Sequence, residues 1–366
     1  MEKLLIVAGP LSGYSLELYR AVAKALGCAV EIVHEPLPSS TSFAHEQPSF
    51  EGFNTLDWTK ATGRELFGFV RAATADAVIV HGTRPARAVA IALAVIPRKT
   101  PVLFASDLNI YDLASEPTKL LPRLALYRAL FARVDAALSL GATNELALRL
   151  LGARRIELVP PYAIDFEALD RARAQAAAVG PHEARRVVVV ARLVEAKNLG
   201  SAINAISADA DLRAQVTLTF VGDGPLRSEL QARAHERQVQ AEFLGALPRS
   251  QVGAVIGHSD VLLLPSIQEP WGIVVCEALG LGVPVIASPA VGAAVSLAGC
   301  TGAVVVADSP SVPDLTMAVR TFLARFDAFA DAAKRSAARI RQIYALPNVA
   351  IRLAALLRTL MATTGL

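Results

Sequence analysis

Cysteine is scarce in this chain of 366 residues, and its three copies, Cys28, Cys276 and Cys300, share no metal-ligand spacing. An odd number excludes a complete disulfide framework, and three scattered thiols are expected to be free and buried. No block of like charge is present either, since 36 basic and 33 acidic residues are spread along the chain for a net charge of +3. Without a basic tail or stripe there is no electrostatic footprint for a nucleic acid, while a pI near 8.8 leaves room for peripheral contact with an anionic membrane surface. Long apolar runs are missing as well: the longest, Ala88 to Ile96, is too short to cross a bilayer. The opening MEKLLIVAGP reads as a first strand because Pro10 and Gly13 interrupt it early, so neither a leader nor a transmembrane helix is expected, and the protein is expected in the cytoplasm. There is no solenoid-type repeat. The turn Gly9 to Gly13 lacks the G-x-G-x-x-G spacing, which argues against a dinucleotide fold.

What is present is apolar material, 53% of residues, enough for two cores in a chain of this length. In the first half short apolar runs alternate with helical segments: Leu4 to Ala8, a helix over Ser15 to Leu26, Val30 to His34, a helix near Gly63 to Ala73, then Ala77 to Val80, Pro101 to Ala105 and Ala136 to Leu138. Alternation of this kind predicts an α/β fold with a parallel sheet and helices on both faces. The stretch Pro36 to Trp58 is long for a connection and reads as a functional or mobile loop, an acceptor-side flap. A strand ends at Leu158-Val159-Pro160-Pro161, and the alanine-rich segment Asp165 to Val179 leads to a second sheet.

The densest chemistry lies in LPSIQEPWGIVVCEALGLGVPVIASPAVG, Leu264 to Gly292. The run Val261 to Leu264 is a buried strand, so the residues after Pro265-Ser266 emerge from its carboxyl end, where open α/β sheets bind ligands. Ile273 to Leu281 reads as a helix whose N-terminus, near Gly272, favours an anion. Glu269 in the preceding loop and Glu277 in the helix are acceptors suited to sugar and ribose hydroxyls. Two carboxylates beside a bare diphosphate would repel it, so cations are required. Arg192, at the end of the strand-like Arg186 to Ala191, and Lys197, before a helix beginning near Gly200, could bracket a diphosphate. Taken singly, Arg192, Lys197 and Glu277 also read as solvated surface charges, and Gly222-Asp223-Gly224-Pro225 as a plain strand-to-helix turn.

The segments VVVVARLVEAKN, LTFVGDGPLRSEL, AEFLGALPRSQV and LLLPSIQEPWGIVVCEALGLGVPVIAS, in that order and spacing, resemble the successive signatures of family 4 of the retaining glycosyltransferases. The likeness is dense over Val187 to Val306 and thin before it. It implies the GT-B fold: two Rossmann-like parallel-sheet domains facing a central cleft, residues 1–162 on the acceptor side and 163–346 binding the nucleotide sugar, with the helix 347–366 packing back on the first. It further implies that Arg192 and Lys197 hold the donor diphosphate, that Glu277 holds the ribose and that Glu269 lies against the transferred sugar. Gly13, Leu244, Gly272 and Ile273 complete the donor-binding set. No metal or cofactor is implied; the partners are a nucleotide-sugar donor and a glycan or glycolipid acceptor, as in surface polysaccharide synthesis.

Two departures from the family pattern stand out. Its Pro-Asn-Gly-Val-Asp motif reads Pro-Pro-Tyr-Ala-Ile-Asp here, ending at Asp165. The histidine expected after the strand Pro101 to Ala105 is absent, and Phe104-Ala105-Ser106-Asp107 stands there. Asp107 is therefore placed with Glu269, Arg192 and Lys197 as a catalytic candidate that grips a sugar hydroxyl, or else it caps a turn. His81, closing the strand Val78 to Val80, is a second candidate for the missing group, or a satisfied structural histidine. The reading is a retaining, metal-independent glycosyltransferase; its rivals are a sugar-nucleotide epimerase or phosphorylase, and a non-catalytic nucleotide-sugar-binding subunit.

Overall fold

The computed structural model describes residues 1–36, 49–82, 86–115, 120–175 and 184–364. The chain divides into two compact units, unit 1 being Met1–Ile164 with Ile343–Leu366 and unit 2 Asp165–Gln342. Unit 1 begins with β1 (Lys3–Pro10), α1 (Gly13–Leu26), β2 (Ala29–Glu35), β3 (Asn54–Asp57), α2 (Gly63–Ala73), β4 (Ala77–His81) and α3 (Ala86–Val95). It continues through β5 (Val102–Ala105), α4 (Ile110–Ser115), α5 (Leu120–Phe131), β6 (Ala136–Leu138), α6 (Ala142–Leu150) and β7 (Ile156–Glu157). Unit 2 opens with α7 (Phe166–Gln175), β8 (Arg185–Val190), α8 (Leu199–Ser207), α9 (Ala210–Gln215), β9 (Val216–Val221) and α10 (Arg227–Glu236). There follow β10 (Ala241–Gly245), α11 (Arg249–Gly257), β11 (Val261–Leu264), α12 (Ile273–Gly280), β12 (Val285–Ala287), α13 (Gly292–Thr301), β13 (Val304–Val306), α14 (Val312–Ala324) and α15 (Phe326–Tyr344). The last helix is α16 (Leu346–Thr364).

Both sheets are parallel among the described residues, in the orders β3-β2-β1-β4-β5-β6-β7 and β10-β9-β8-β11-β12-β13. Helices cover both faces, so the central strands are continuous apolar runs rather than alternating ones. In β1, Leu4, Ile6 and Ala8 pack with α1 and α16, while Leu5 and Val7 join the opposite layer of α2, α3 and α5. Val349, Leu353, Leu356, Leu357 and Leu360 recur at helical spacing and lay α16 on the first of these layers. The second core is built from β8, β9 and β11 with α8, α10 and α14.

Ile164 forms an isolated parallel bridge with Ala345, its N–H donating to Tyr344 O at 2.9 Å while its carbonyl accepts from Leu346 N at 2.9 Å. These bonds hold both chain crossings at unit 1, and the division accordingly falls at 164/165 and 342/343. Three expectations need correction. The pairing of β7 with β6 stops at Glu157, opposite Leu138, so Leu158-Val159 lies beyond the strand and Leu158 is exposed. The long connection after β2 contains the edge strand β3, paired with β2; residues 37–48 of the expected flap lie outside the described residues. Of the thiols only Cys276 is buried: Cys28 is half-buried, and Cys300, at the end of α13, is exposed.

Candidate functional site

In each sheet the strand order reverses direction once, between β1 and β4 in unit 1 and between β8 and β11 in unit 2. The loops leaving the carboxyl ends of the two strands beside such a reversal diverge, and a ligand fits in the crevice between them. In unit 2 the loop after β8 carries Arg192 and Lys197, and the loop after β11 carries Glu269. The sequence pattern thus falls on the switch point.

The two loops are joined there by main chain and by charge. A single 3-10 turn, Glu195–Lys197, exposes the Ala196 carbonyl to Ile267 N at 3.0 Å and Gln268 N at 3.2 Å. One residue on, Lys197 Nζ donates to Glu269 Oε2, with the two side chains 13% and 16% exposed. A pair so far out of water gains little net stability over the desolvation of its partners, so it is open to exchange with a ligand of matching charge. Arg192 is half-buried and makes no ion pair among the described residues.

Glu269 is further fixed by its backbone, which bridges Val291 and accepts from Gly292 N at 3.2 Å. Gly272 caps α12 with φ 86, in the left-handed region, and a Cβ there would stand 3.1 Å from both Glu269 Cγ and Val291 Cγ1. It follows that Gly272 sets both the start of α12 and the approach of Glu269. Ile273, half-buried, opens the helix, whose first amides lack intrahelical partners. Glu277, one turn in, is 3% exposed among Val274, Val275, Ala278 and Leu279, all buried. The reading of Glu277 as a solvated side chain is overturned. Leu244 lies half-buried in β10, beside Gly245, whose carbonyl accepts from Gly222 N at 2.7 Å.

The Gly222-Asp223-Gly224 turn proves to be scaffold with a definite job. A Cβ on Gly222 (φ 131) would meet Ala191 O at 2.0 Å, and one on Gly224 (φ 159) would meet Leu193 O at 2.5 Å. Only glycine lets the β9 loop press against the stretch that presents Arg192, where Leu193 N donates to Asp223 O at 2.9 Å. Sequence reasoning missed Asn198. It sits in the left-handed region at φ 52, and its Nδ2 donates to Pro265 O at 3.2 Å and Pro310 O at 3.0 Å, tying the β8 loop to the end of β11. The signal available was an asparagine directly after Lys197, since asparagine tolerates that conformation. Ser288, also missed, is fully buried and donates its Oγ to Ser266 O.

The unit 1 switch point is furnished differently. Gly13 is the exposed first residue of α1, capped by Ser12, whose Oγ accepts from Ser15 N at 3.4 Å. A Cβ on Gly13 would meet nothing within 4 Å, so neither packing nor φ demands glycine there. At the end of β4, His81 Nδ1 hydrogen-bonds the hydroxyl of the fully buried Tyr19 at 2.8 Å, with the rings edge to face. Burial lowers the His81 pKa from 6.5 to about 4, and burial likewise raises that of Tyr19. The imidazole is neutral near pH 7. Asp107 is exposed beyond β5. The cap of α4 is the buried Asn109, whose Oδ1 accepts from Tyr111 N at 2.8 Å and Asp112 N at 3.0 Å. No group of three or more His, Cys, Asp or Glu side chains able to hold a metal ion occurs among the described residues, and no described helix is long and apolar enough to cross a membrane.

Comparison with known proteins gives the following likenesses. Residues 170–338 match the family described as glycosyl transferases group 1. The chain is 29% identical over 277 residues to the 2-deoxystreptamine glucosyltransferase of Streptomyces kanamyceticus, covering 70% of each chain. It is 27% identical over 179 residues to a GDP-mannose-dependent alpha-(1-6)-phosphatidylinositol dimannoside mannosyltransferase of Mycobacterium tuberculosis, covering 47% of this chain and 44% of that one. Among solved structures, Anabaena HepE in complex with UDP superposes with a TM-score of 0.73 at 16% identity, covering 98% of this chain and 100% of that one. Residues 170–338, lying wholly within unit 2, are similar to the glycosyl transferases group 1 family, and the two parallel-sheet units have the GT-B fold.

Proposed function

We propose that this chain is a retaining, metal-independent glycosyltransferase of family 4 that moves a sugar from a UDP- or GDP-linked donor to a hydroxyl acceptor. The observation that carries the reading is the Lys197–Glu269 pair, held between the two switch-point loops by the Ala196 carbonyl. A donor diphosphate competes for Lys197 and takes Arg192 as its second cation, while the sugar hydroxyls donate to the released Glu269. Glu277, buried one turn into α12, holds the ribose. The acceptor oxygen bonds to the anomeric carbon as the carbon–phosphate oxygen bond breaks. The acceptor proton passes to a donor phosphate oxygen and the nucleoside diphosphate departs. Negative charge grows on the diphosphate in this step, and Arg192, Lys197 and the α12 amides stabilise it in the place of a metal ion.

The acceptor proposed is a lipid-linked glycan, recognised through unit 1. The mycobacterial relative is named for a phosphatidylinositol dimannoside. The absence of histidine from Phe104-Ala105-Ser106-Asp107 favours a second reading, a donor-binding subunit without turnover. Incubation with a panel of UDP- and GDP-sugars in EDTA, with and without glycolipid acceptors, separates the possibilities. Release of nucleoside diphosphate that requires acceptor supports transfer. Acceptor-independent turnover indicates epimerisation or hydrolysis, and a donor that binds without turnover indicates the second reading.

A further inference from the structure

Asn144 stands in the first turn of α6 and is wholly buried, in a place where asparagine is a poor choice. Its amide competes with the backbone of a helix, and burying a primary amide costs stability unless its groups are bonded. Both of its N–H groups and its carbonyl are bonded here. Nδ2 donates to Ser106 O at 3.0 Å and to Leu108 O at 2.6 Å, while Oδ1 accepts from Leu140 N at 3.0 Å. The opposite orientation of the amide would turn Oδ1 on two carbonyls, so its partners fix which way it points.

Ser106 and Leu108 are the residues on either side of Asp107, in the loop that leaves β5. β5 and β6 are neighbours in the sheet, with Ala105 opposite Leu138, so the turn into α6 runs beside that loop. The base of the arrangement is firm, because Leu140 O accepts in turn from the hydroxyl of the buried Tyr344 at 2.8 Å. Within the loop Ser106 Oγ accepts from Leu108 N at 3.2 Å, and Asp112 Oδ2 accepts from Asn109 N at 2.9 Å. The two bonds that Asn144 donates complete neither sheet nor helix, since the pairing of β5 with β6 ends at Ala105 and α4 is capped by Asn109. What they hold is the stretch of main chain that carries the exposed Asp107.

We infer that Asn144 is a positioning residue for transfer: by clamping the carbonyls on both sides of Asp107 it holds that carboxylate where it grips a sugar hydroxyl. The inference rests on the transfer reading and on the sugar contact of Asp107. A hydroxyl–carboxylate hydrogen bond is short and directional, and a group displaced by about 1 Å from its productive place can cost on the order of 10²-fold in rate. A loop tied only at its two ends leaves a carboxylate at its tip free to wander by that much, whereas a buried amide bonded next to the tip from both sides does not.

The test is a double-mutant cycle on the full chain with Asn144→Ser, Asp107→Asn and the two combined, each rate referred to folded protein. Asn144→Ser lowers transfer roughly tenfold or more with nucleoside diphosphate affinity unchanged, and in the Asp107→Asn background it lowers transfer no further, because the group it positions is already lost. Asn144→Asp, which keeps the size and the acceptor for Leu140 N but loses both donors, behaves alike. A purely structural asparagine lowers the melting temperature and leaves transfer per folded molecule intact, and that result overturns the inference, as do losses that multiply in the double variant. Hydrogen exchange on the wild type needs no variant: the Leu108 and Asn109 amides exchange at least roughly a hundredfold more slowly than in an unstructured chain, and free exchange at both also overturns it. Full transfer by folded Asp107→Asn, or no transfer by the wild type with any acceptor, would instead remove the reading beneath the inference.

Discussion

The two units share a strand order and a switch point, yet they arm that switch point in opposite ways. In unit 2 the flanking loops are sewn together by Ala196 O, Asn198 Nδ2 and the Lys197–Glu269 pair, and two glycines allow a third loop to press in beneath. In unit 1 the equivalent positions hold an exposed glycine with open space around it and one neutral histidine fixed by a tyrosine. The topology decides where a ligand can sit, and side chains decide what it is. Under the proposed reading a diphosphate demands the same fixed charges whatever sugar it carries, which suits the charged loops of unit 2. Under the same reading the sparser features of unit 1 suit recognition that varies with the acceptor.

The comparison breaks most sharply at Lys197. Lys197→Ala is expected to lower kcat/KM by at least ~10²-fold, because removing one preorganised charge from a developing anion costs about 2.7–4 kcal/mol. Turnover must be referred to folded protein, since Glu269 is left with its partner gone in a largely buried place. The glycines come next. Gly222→Ala puts a Cβ 2.0 Å from Ala191 O, so the backbone has to move and a loss above roughly 2 kcal/mol is expected in denaturant unfolding. Gly13→Ala meets open space and should stay within about 0.5 kcal/mol of wild type. Equal losses in the two would remove the contrast between the units; a fall in transfer by folded Gly13→Ala would sharpen it.

Smaller effects refine the roles. Glu277→Gln should weaken nucleoside diphosphate binding about tenfold, ~1.4 kcal/mol, with kcat nearly kept, because a ribose contact is made equally in ground and transition states. Calorimetry with unchanged affinity would remove Glu277 from the ribose. For His81 the folded pKa of about 4 lies below the ordinary 6.5, so between these values the unfolded chain binds more protons and stability falls as pH falls. His81→Gln should flatten the wild-type decline over that window, by up to about 1.4 kcal/mol per pH unit. Parallel declines in the two proteins would show that His81 is not held neutral. The least disruptive change is Asp107→Asn at an exposed position, where the neighbouring helix is already capped by Asn109. Transfer should drop with melting temperature and nucleotide affinity intact; unchanged transfer ends the sugar-contact role.

Much of this was legible in the sequence where chemistry and topology coincide. The run Val261–Leu264 followed by Pro265 announced a strand end, and the spacing of Glu269, Gly272 and Glu277 placed a loop, a helix start and a helix-borne carboxylate in order. The strand end at Leu158-Val159 was misplaced because apolar character marks burial, whereas pairing length is set by the neighbouring β6, which ends at Leu138. Glu277 looked solvated because a lone glutamate in a helix gives no sign of what the other faces of that helix touch. Asn198 was invisible for a related reason: its two acceptors, Pro265 O and Pro310 O, are brought to it only by the folded sheet.

The most direct test of the donor site is calorimetric titration of UDP and GDP, in EDTA, into the wild-type protein and into Lys197→Ala that is shown to be folded by its melting temperature. The account predicts that one of the two nucleotides binds the wild type without metal and binds Lys197→Ala at least about tenfold more weakly, a loss of ~1.4 kcal/mol or more. Equal affinity in the two proteins, or binding that appears only when Mg²⁺ or Mn²⁺ is restored, would contradict it.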